Sequence, residues 1–430
     1  MRKIADRLEA LLREKGAKNW SYQVSESEKQ ELNTEKTDFN LFRTTFDHHV
    51  AVTVLQDGRK GSAAGNDLSE AGLARVVEDA LTGAEGAQAD EANVLAERQE
   101  PAKMRSGSWE GPDMPRFYDS LRQLMAAVEK EYPQVSLMTV IGDHVKTHTL
   151  YANSNGTRFE RRHGVYEMEM EMSGTDGTRN TGLDYTGLMT HDLDTPLADQ
   201  GSVRQHLRDT EAGLRMVTLP GKFEGTVIFT PDCLGSFLRM LAGNYLMSSV
   251  IMEGTSQWLD KLDQPVASPL VTVSLKAKDD RIATEPFYTG DGYRAEDVTV
   301  LERGVLKSFL LNLYAARKTG RAVTKNDSLA LVMEPGETPL AEMIASVRRG
   351  LIVGGFSGGY PGANGEFSGV AKNSFYVEDG RIAGAVTETM INGNLEKVFR
   401  QVRAISREQV RDGGSVLPYL ASDGIVISGK

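Results

Sequence analysis

The sequence is short of the residues that mark disulfide frameworks, membrane spans and most zinc sites. Cys233 is the single cysteine among 430 residues, which excludes an internal disulfide and is typical of a protein from the reducing cytoplasm. All seven histidines lie at or before His206, so the second half of the chain has no imidazole. No run approaches the roughly 18 apolar residues of a membrane helix, and the start lacks the apolar stretch of a signal peptide. The expected location is cytoplasmic.

Basic charge is also scarce. The chain has 49 Lys and Arg against 60 Asp and Glu, a net charge of -11, with no dense basic stripe. Duplex binding relies on basic patches that neutralise phosphates, so nucleic acid is not expected as the main partner. Hydrophobic residues make up 40% of the chain and charged residues 25%, close to globular averages. The length predicts two or three domains.

Periodicity predicts an α+β fold. A short amphipathic helix, a meander of period-two strands to Asn66 and a helix capped by Ser69 are followed by a similar arrangement, so two related α+β units are expected. The polar stretch 87–115 is predicted to be a connector. We place an N-terminal α+β domain of antiparallel sheets with flanking helices at residues 1–220, with the boundary near Pro220. A β-rich C-terminal domain follows at 221–430, with a buried helix from Pro231 to about Met247.

The segment Gly354–Phe399 is rich in glycine. Alternation on both sides of Asp379-Gly380 predicts a hairpin closed by a type I′ turn. Gly355–Gly359 matches G-x-S-x-G around Ser357, but the elbow must run into a helix and needs a histidine base, usually later in the chain. Proline and glycine forbid the helix, and no later histidine exists, which excludes a serine hydrolase.

The remaining motifs give no metal site. His144 and His148 are four residues apart, but they lie in an alternating strand pattern, where that step spans about 13 Å. They cannot readily share one zinc, and we predict surface or interface positions for them. Cys233 is expected to be a buried small residue. Without H-E-x-x-H or H-E-x-x-x-H, the residues alone provide no complete catalytic constellation.

The chain nevertheless resembles a known family along nearly its whole length, and the resemblance is strongest in four segments. They are Gly365–Ala371 (GEFSGVA), Phe375–Ile382 (FYVEDGRI), Ile391–Leu395 (INGNL) and the hairpin and helix of Gly304–Lys318. Together they resemble the TldD/PmbA family, also called the modulator of DNA gyrase family and classed among metallopeptidases. The resemblance implies an N-terminal α+β domain and a C-terminal β-rich domain. The acidic composition gives no support for an involvement of gyrase.

The resemblance also implies two kinds of subunit. One binds zinc through an H-E-x-x-x-H helix and a cysteine near the C-terminus, and the other, the PmbA or TldE type, lacks these ligands and pairs with the first. In this sequence the corresponding helix starts around Pro231 and has no histidine in Pro231–Arg239. Asp412–Ser415 occupies the position at which the resemblance implies the cysteine, and it contains none. This chain therefore resembles the TldE-type subunit. We expect no catalytic residue, metal ligand or cofactor in it, and zinc in the partner subunit.

The implied function is that of the non-metal half of a heterodimeric protease acting on unfolded peptides. Extended peptide can add to an exposed sheet edge through main-chain hydrogen bonds. The predicted edge is the segment Gly365–Ala371, and its predicted peptide-binding residues are Gly365, Glu366, Phe367, Ser368 and Gly369. Two alternatives stay open, a homodimeric peptide-binding or scaffold protein without proteolytic activity, and an independent peptidase with unrecognised metal ligands. The resemblance implies a member of a metallopeptidase family that is the non-catalytic subunit.

Overall fold

The computed structural model describes residues 1–219 and 221–429. It confirms the predicted α+β class, with one sheet built from strands before residue 220 and a second from strands after it. The predicted boundary residue Pro220 itself lies outside the described residues, as does Lys430. No helix in the described ranges is both long enough and apolar enough to cross a membrane.

The first half of the chain contains four α-helices and seven strands within residues 1–219. The helices are α1 (Arg2–Glu14), α2 (Glu70–Gly86), α3 (Met114–Glu131) and α4 (Val203–Ala212). The strands are β1 (Asn19–Glu35), β2 (Asp38–Gln56), β3 (Arg59–Gly65), β4 (Ala102–Gly107), β5 (Val135–Asn153), β6 (Arg158–Gly174) and β7 (Asp184–Thr190).

These strands form one sheet in the order β3-β2-β1-β5-β6-β4, with β7 also paired to β6. The element order α-β-β-β-α occurs twice, as α1 to α2 and as α3 to α4, and the two meanders meet where β1 pairs antiparallel with β5. Ser69 caps α2 as predicted, since its Oγ accepts from the Gly72 amide at 3.2 Å. The connector prediction missed β4, which pairs parallel with β6.

The second half contains five α-helices and eleven strands within residues 221–429. The helices are α5 (Pro231–Tyr245), α6 (Ser248–Met252), α7 (Leu313–Thr319), α8 (Leu340–Ala345) and α9 (Leu395–Arg400). The strands are β8 (Lys222–Phe229), β9 (Val273–Leu275), β10 (Val298–Glu302), β11 (Val305–Leu306), β12 (Leu331–Met333), β13 (Arg349–Gly358), β14 (Glu366–Glu378), β15 (Arg381–Val386), β16 (Met390–Asn394), β17 (Val402–Arg411) and β18 (Val416–Ser428).

Five of these strands close into a ring. The pairing runs β18-β16-β14-β13-β8, and β18 also pairs with β8, so the last strand of the ring returns to the first. The helix α5 packs against β8, β13 and β18, and most of its apolar side chains are buried in the largest core cluster. The predicted buried helix is therefore confirmed, and a helix apolar nearly all round is what such a position requires.

The glycine-rich segment forms the predicted hairpin between β14 and β15. Asp379 and Gly380 have φ of 48° and 76°, both in the left-handed region that a type I′ turn requires. Ser357 lies within β13, and no helix follows it directly, in agreement with the exclusion of a nucleophile elbow.

The loop of residues 276–297, between β9 and β10, joins the two sheets. Arg161 on β6 donates to the Thr284 carbonyl at 2.6 Å, and the ring of Tyr288 stacks on Phe159 at 5.3 Å. From the other side, the Ala283 amide donates to the Gly413 carbonyl at 2.7 Å. The 276–297 loop thus contacts the first sheet and the turn that precedes β18.

Candidate functional site

The helix α5 corresponds to the helix on which the resemblance places the zinc ligands of related subunits. Thr230 caps it, Pro231 opens it, and Leu234, Phe237 and Leu238 are buried on it. The rings of Phe229 and Phe367 pack on Phe237 at 4.6 and 5.2 Å. The buried face of this helix therefore consists of packed apolar side chains.

Cys233 follows the prediction of a buried small residue. Its side chain is 1% exposed, and burial raises the pKa of the thiol far above its usual range. Metal ligation and nucleophilic attack both require a thiolate, which this site disfavours at neutral pH.

A histidine that no sequence motif singles out bridges α5 to the first sheet. His206 on α4 lies between two carboxylates, with Nδ1 2.8 Å from Asp184 of β7 and Nε2 3.1 Å from Asp232 of α5. Burial opposes the charge on the ring, but the hydrogen bonds and charges of the two aspartates outweigh it and raise the pKa of His206 to about 10. His206 is an imidazolium at neutral pH, engaged at both nitrogens.

A groove runs beside this ion triad, between β7 and α4 on one side and β14 and β15 on the other. Its volume is about 590 Å³. Leu183, Tyr185 and Met216 line it and are 49%, 61% and 45% exposed, so the walls present apolar side chains to solvent. At its base, Asn373 donates through its side-chain amide to Asp184. The arrangement can hold an apolar or extended chain segment.

The predicted peptide-binding segment has a different environment from the one expected. From Glu366 to Val370, β14 pairs with β16, and from Gly369 onward it also pairs with β13. The prediction of an exposed edge is therefore wrong from Gly369 to Ala371, because β13 pairs with β14 there. On the β13 side, the Glu366 carbonyl accepts from the Gly362 amide at 3.1 Å.

The side chains of the same segment alternate between core and solvent. Gly365, Phe367 and Gly369 are buried, and the Phe367 ring contacts Phe237. Glu366 and Ser368 are exposed, and each bonds to an asparagine of β16: Glu366 Oε1 accepts from the Asn394 amide at 3.2 Å, and Ser368 Oγ donates to Asn392 at 2.5 Å. Phe367 therefore belongs to the core.

Asp412–Ser415, where the cysteine was sought, is a tight structural turn. The Asp412 carboxylate accepts from the Gly414 amide at 2.8 Å and from the Ser415 hydroxyl at 2.9 Å. Its carbonyl accepts from the Met189 amide at 2.8 Å, which attaches the turn to β7. Gly413 has φ of 84°, and a Cβ there would lie 2.0 Å from the Met189 carbonyl oxygen. These groups hold strands together and provide no soft ligand.

The histidine pair of β5 is buried, which corrects the prediction of surface or interface positions. His144 is bonded through Nε2 to the Ser108 hydroxyl at 2.7 Å, and burial lowers its pKa to about 4. His148 lies between Glu26 and Glu160, each at 3.1 Å from a ring nitrogen. Both lie on one strand, as predicted, but strand alternation does not reveal that the neighbouring strands cover both residues.

A cluster of two histidines and a carboxylate lies where the 276–297 loop meets the first sheet. His163 of β6, His191 directly after β7 and Glu285 of the loop each offer a donor atom, and the three atoms lie within 4.8 Å of one another. Partial desolvation of the ring lowers the pKa of His191, although the residue as a whole is exposed. Burial opposes charge on Glu285, but its contacts with His163 and Ser106 outweigh this effect and lower the pKa of the carboxyl. A neutral imidazole and an ionised carboxylate are the states that ligate metals.

The sequence could not reveal this cluster. Its members come from a strand, a strand end and a loop, and Glu285 lies more than 90 residues beyond His191, so no spacing rule applies. The backbone at Gly107 packs closely against the cluster, and its φ is 57°. A Cβ at this position would lie 2.0 Å from the Gly164 carbonyl oxygen and 2.5 Å from Cε1 of His191.

Comparisons with known proteins agree along both halves of the chain. Residues 221–429 match the model of the PmbA/TldA metallopeptidase C-terminal domain, and residues 23–84 match that of PmbA/TldA metallopeptidase domain 1. Metalloprotease PmbA of Escherichia coli O157:H7 is 25% identical over 418 residues, covering 91% of this chain and 88% of that protein. A zinc metalloprotease TldD homolog of Saccharolobus solfataricus is 25% identical over 203 residues, 44% of this chain and 45% of that protein.

Two solved structures share the fold along nearly the whole chain. TldE from Thermococcus kodakarensis superposes with a TM-score of 0.85 at 19% identity, covering 98% of this chain and 100% of that one. A candidate modulator of DNA gyrase from Bacteroides thetaiotaomicron superposes with a TM-score of 0.88 at 19% identity, covering 100% and 99%. At this identity, the likeness establishes the fold alone.

Proposed function

Because this chain belongs to the PmbA/TldD metallopeptidase family, we propose that it is the TldE/PmbA-type subunit of a zinc metalloprotease acting on unfolded peptides. Its partner is a TldD-type subunit that carries H-E-x-x-x-H and binds the catalytic zinc. The likeness to TldE of T. kodakarensis supports this assignment, as does the name PmbA of the E. coli relative. The pair works in the cytoplasm.

The composition of α5 is the observation that carries the proposal. A catalytic zinc needs about three protein ligands and an open position for water. On α5, the buried face consists of apolar side chains, Cys233 is a protonated thiol, and the Asp232 carboxylate is hydrogen-bonded to the imidazolium of His206. Neither a neutral imidazole nor a thiolate is available on this helix. The subunit therefore contributes structure and peptide binding, and its partner contributes the metal.

The groove beside β14 and β15 supports the peptide-binding role. Unfolded peptides expose apolar side chains, and Leu183, Tyr185 and Met216 offer an apolar wall to receive them. The exposed residues of the predicted segment, Glu366 and Ser368, supply polar groups on the neighbouring face of β14. The alternate residues of the same strand segment are buried and support the exposed ones from the core side: Gly365, Phe367 and Gly369.

The test compares the purified chain alone with the same chain mixed with a TldD-type partner, using a fluorescein-labelled unfolded peptide and added zinc. We expect no cleavage by the lone chain, cleavage by the mixture, and loss of that activity with a chelator. Chelator-sensitive cleavage by the lone chain would favour an independent peptidase and overturn the proposal. A stable dimer of this chain alone that never incorporates the partner would favour the homodimeric scaffold.

A further inference from the structure

We propose that His163, His191 and Glu285 form a binding site for a divalent metal ion, Zn²⁺, at the junction between the 276–297 loop and the first sheet. The proposal goes beyond the function proposed above, in which the zinc belongs to the partner subunit. None of the three residues lies on α5 or in the turn before β18. The site is therefore argued from its own geometry.

The donor atoms already converge. One nitrogen of each imidazole and one carboxylate oxygen lie within 4.8 Å of one another. Ligands at the usual 2.0–2.2 Å from one tetrahedral zinc ion are about 3.3–3.6 Å apart. Side-chain movements of about 1–1.5 Å therefore complete the coordination.

A second observation points independently to a ligand. His163 is 5% exposed, and its Nε2 has no hydrogen-bond partner among residues 1–219 and 221–429. Glu285 Oε2 lies 3.4 Å from Nδ1, the other nitrogen of the same ring. Buried polar atoms are nearly always satisfied, because leaving one without a partner costs its full desolvation. A bound cation accounts for this orphaned nitrogen beside a carboxylate.

Neighbouring groups orient the ligands as in known metal sites. Ser106 Oγ lies 3.0 Å from Nδ1 of His163 and can accept the proton of that nitrogen, which leaves Nε2 free to bind a metal. The ring of His191 lies close against Gly107, where an added Cβ would be 2.5 Å from Cε1. Such contacts to the other ring nitrogen or to the ring edge hold ligating histidines in place.

The donor set identifies the class of ion. Two imidazoles and one carboxylate are borderline donors that suit Zn²⁺, whereas Mg²⁺ and Ca²⁺ prefer oxygen alone. His191 is exposed, so an ion can enter from solvent and keep water at its fourth position. Because the ligands come from two strands and a loop, binding fastens the 276–297 loop to the sheet.

The test uses the full-length chain, freed of metal by a chelator and titrated with Zn²⁺ in competition with a chromophoric indicator. We expect about one tight site per chain. Loss of a direct ligand should weaken binding at least as much as loss of a second-layer contact, so H191A and E285Q should each lose at least about 100-fold in affinity. H49A removes another exposed histidine and should bind as the unmodified chain does.

Two further measurements keep the result decisive. His191 is exposed, so H191A should fold, and its unfolding midpoint without zinc should match that of the unmodified chain; added Zn²⁺ should raise the midpoint of the unmodified chain only. Co²⁺ should give the visible absorption of a four-coordinate site, lost in H191A. Equal zinc affinity in the unmodified chain, H191A and E285Q overturns the proposal. None of these readouts depends on a partner subunit or on proteolysis.

Discussion

Raising the pH from 7 to 9 should remove up to about 2.5 kcal/mol of folding stability through His206 alone. The hydrogen-bonded aspartates raise the pKa of this imidazole from 6.5 to about 10, against the effect of burial. Below pH 6.5 the ring is protonated in both the folded and the unfolded chain, so the stabilisation is complete. As the pH rises towards 10 only the unfolded chain releases the proton, and the stabilisation is lost. Because Asp232 keeps some contact with water, this value is an upper bound.

The interval from pH 7 to 9 separates His206 from other titrating groups. Burial raises the pKa of Asp209 to about 6 and lowers that of His144 to about 4, so both have nearly finished titrating in the folded protein at pH 7. Any contribution from the unfolded cysteine near pH 9 is common to all variants that keep Cys233. The difference between variants therefore reports His206.

The measurement is the free energy of unfolding in urea at pH 7 and at pH 9, followed by fluorescence. H206Q should be less stable at pH 7 by about 3–5 kcal/mol, because Asp184 and Asp232 lose their buried cation. It should also lose most of the pH dependence. H49Q alters an exposed histidine and should keep both quantities unchanged.

The reasoning fails if H206Q and the unmodified chain lose the same stability between pH 7 and 9. A direct check on the folded protein does not depend on the stability of H206Q. The His206 ring signals in an NMR titration should stay those of an imidazolium up to at least about pH 9, and titration near 6.5 would contradict the ion triad.

Three other predictions follow from the second half of the chain. F237A should lower the free energy of unfolding by about 3–5 kcal/mol, measured in urea, because it empties the space between α5 and the ring of strands. G413A should lower the thermal midpoint, because its Cβ would lie 2.0 Å from the Met189 carbonyl oxygen. L183S combined with M216S should weaken binding of an unfolded peptide about tenfold or more by fluorescence anisotropy, whereas M252S, at a comparably exposed methionine outside the groove, should not.

Local patterns explain what could be predicted from the sequence. Ser69 predicts a helix start, Asp379-Gly380 predicts a tight turn, and the apolar run after Pro231 predicts a buried helix. In each case the residues that determine the structure are neighbours in the chain. The whole α+β class follows from such signals, because each element has its own period or cap.

Long-range pairing explains what could not be predicted. The strand β4 was missed because its parallel pairing with β6 leaves no turn signal, and the edge assigned from Gly369 to Ala371 was wrong because ring closure joins distant strands. His144 and His148 are buried by neighbours that their own strand pattern does not reveal. The ion triad and the cluster around His163 depend wholly on tertiary contacts.

The ring of strands also constrains when this protein can fold during synthesis. The ring cannot close until β18 has been synthesised, because β18 pairs with the edge of the first strand, β8. The strand β18 ends at Ser428, about 200 residues after β8. Until then α5 faces an open sheet with apolar surface exposed to other nascent chains. Non-local pairing of this kind is slow and prone to aggregation. The second half should therefore depend on chaperones during translation, while the meanders of the first half can form as they leave the ribosome.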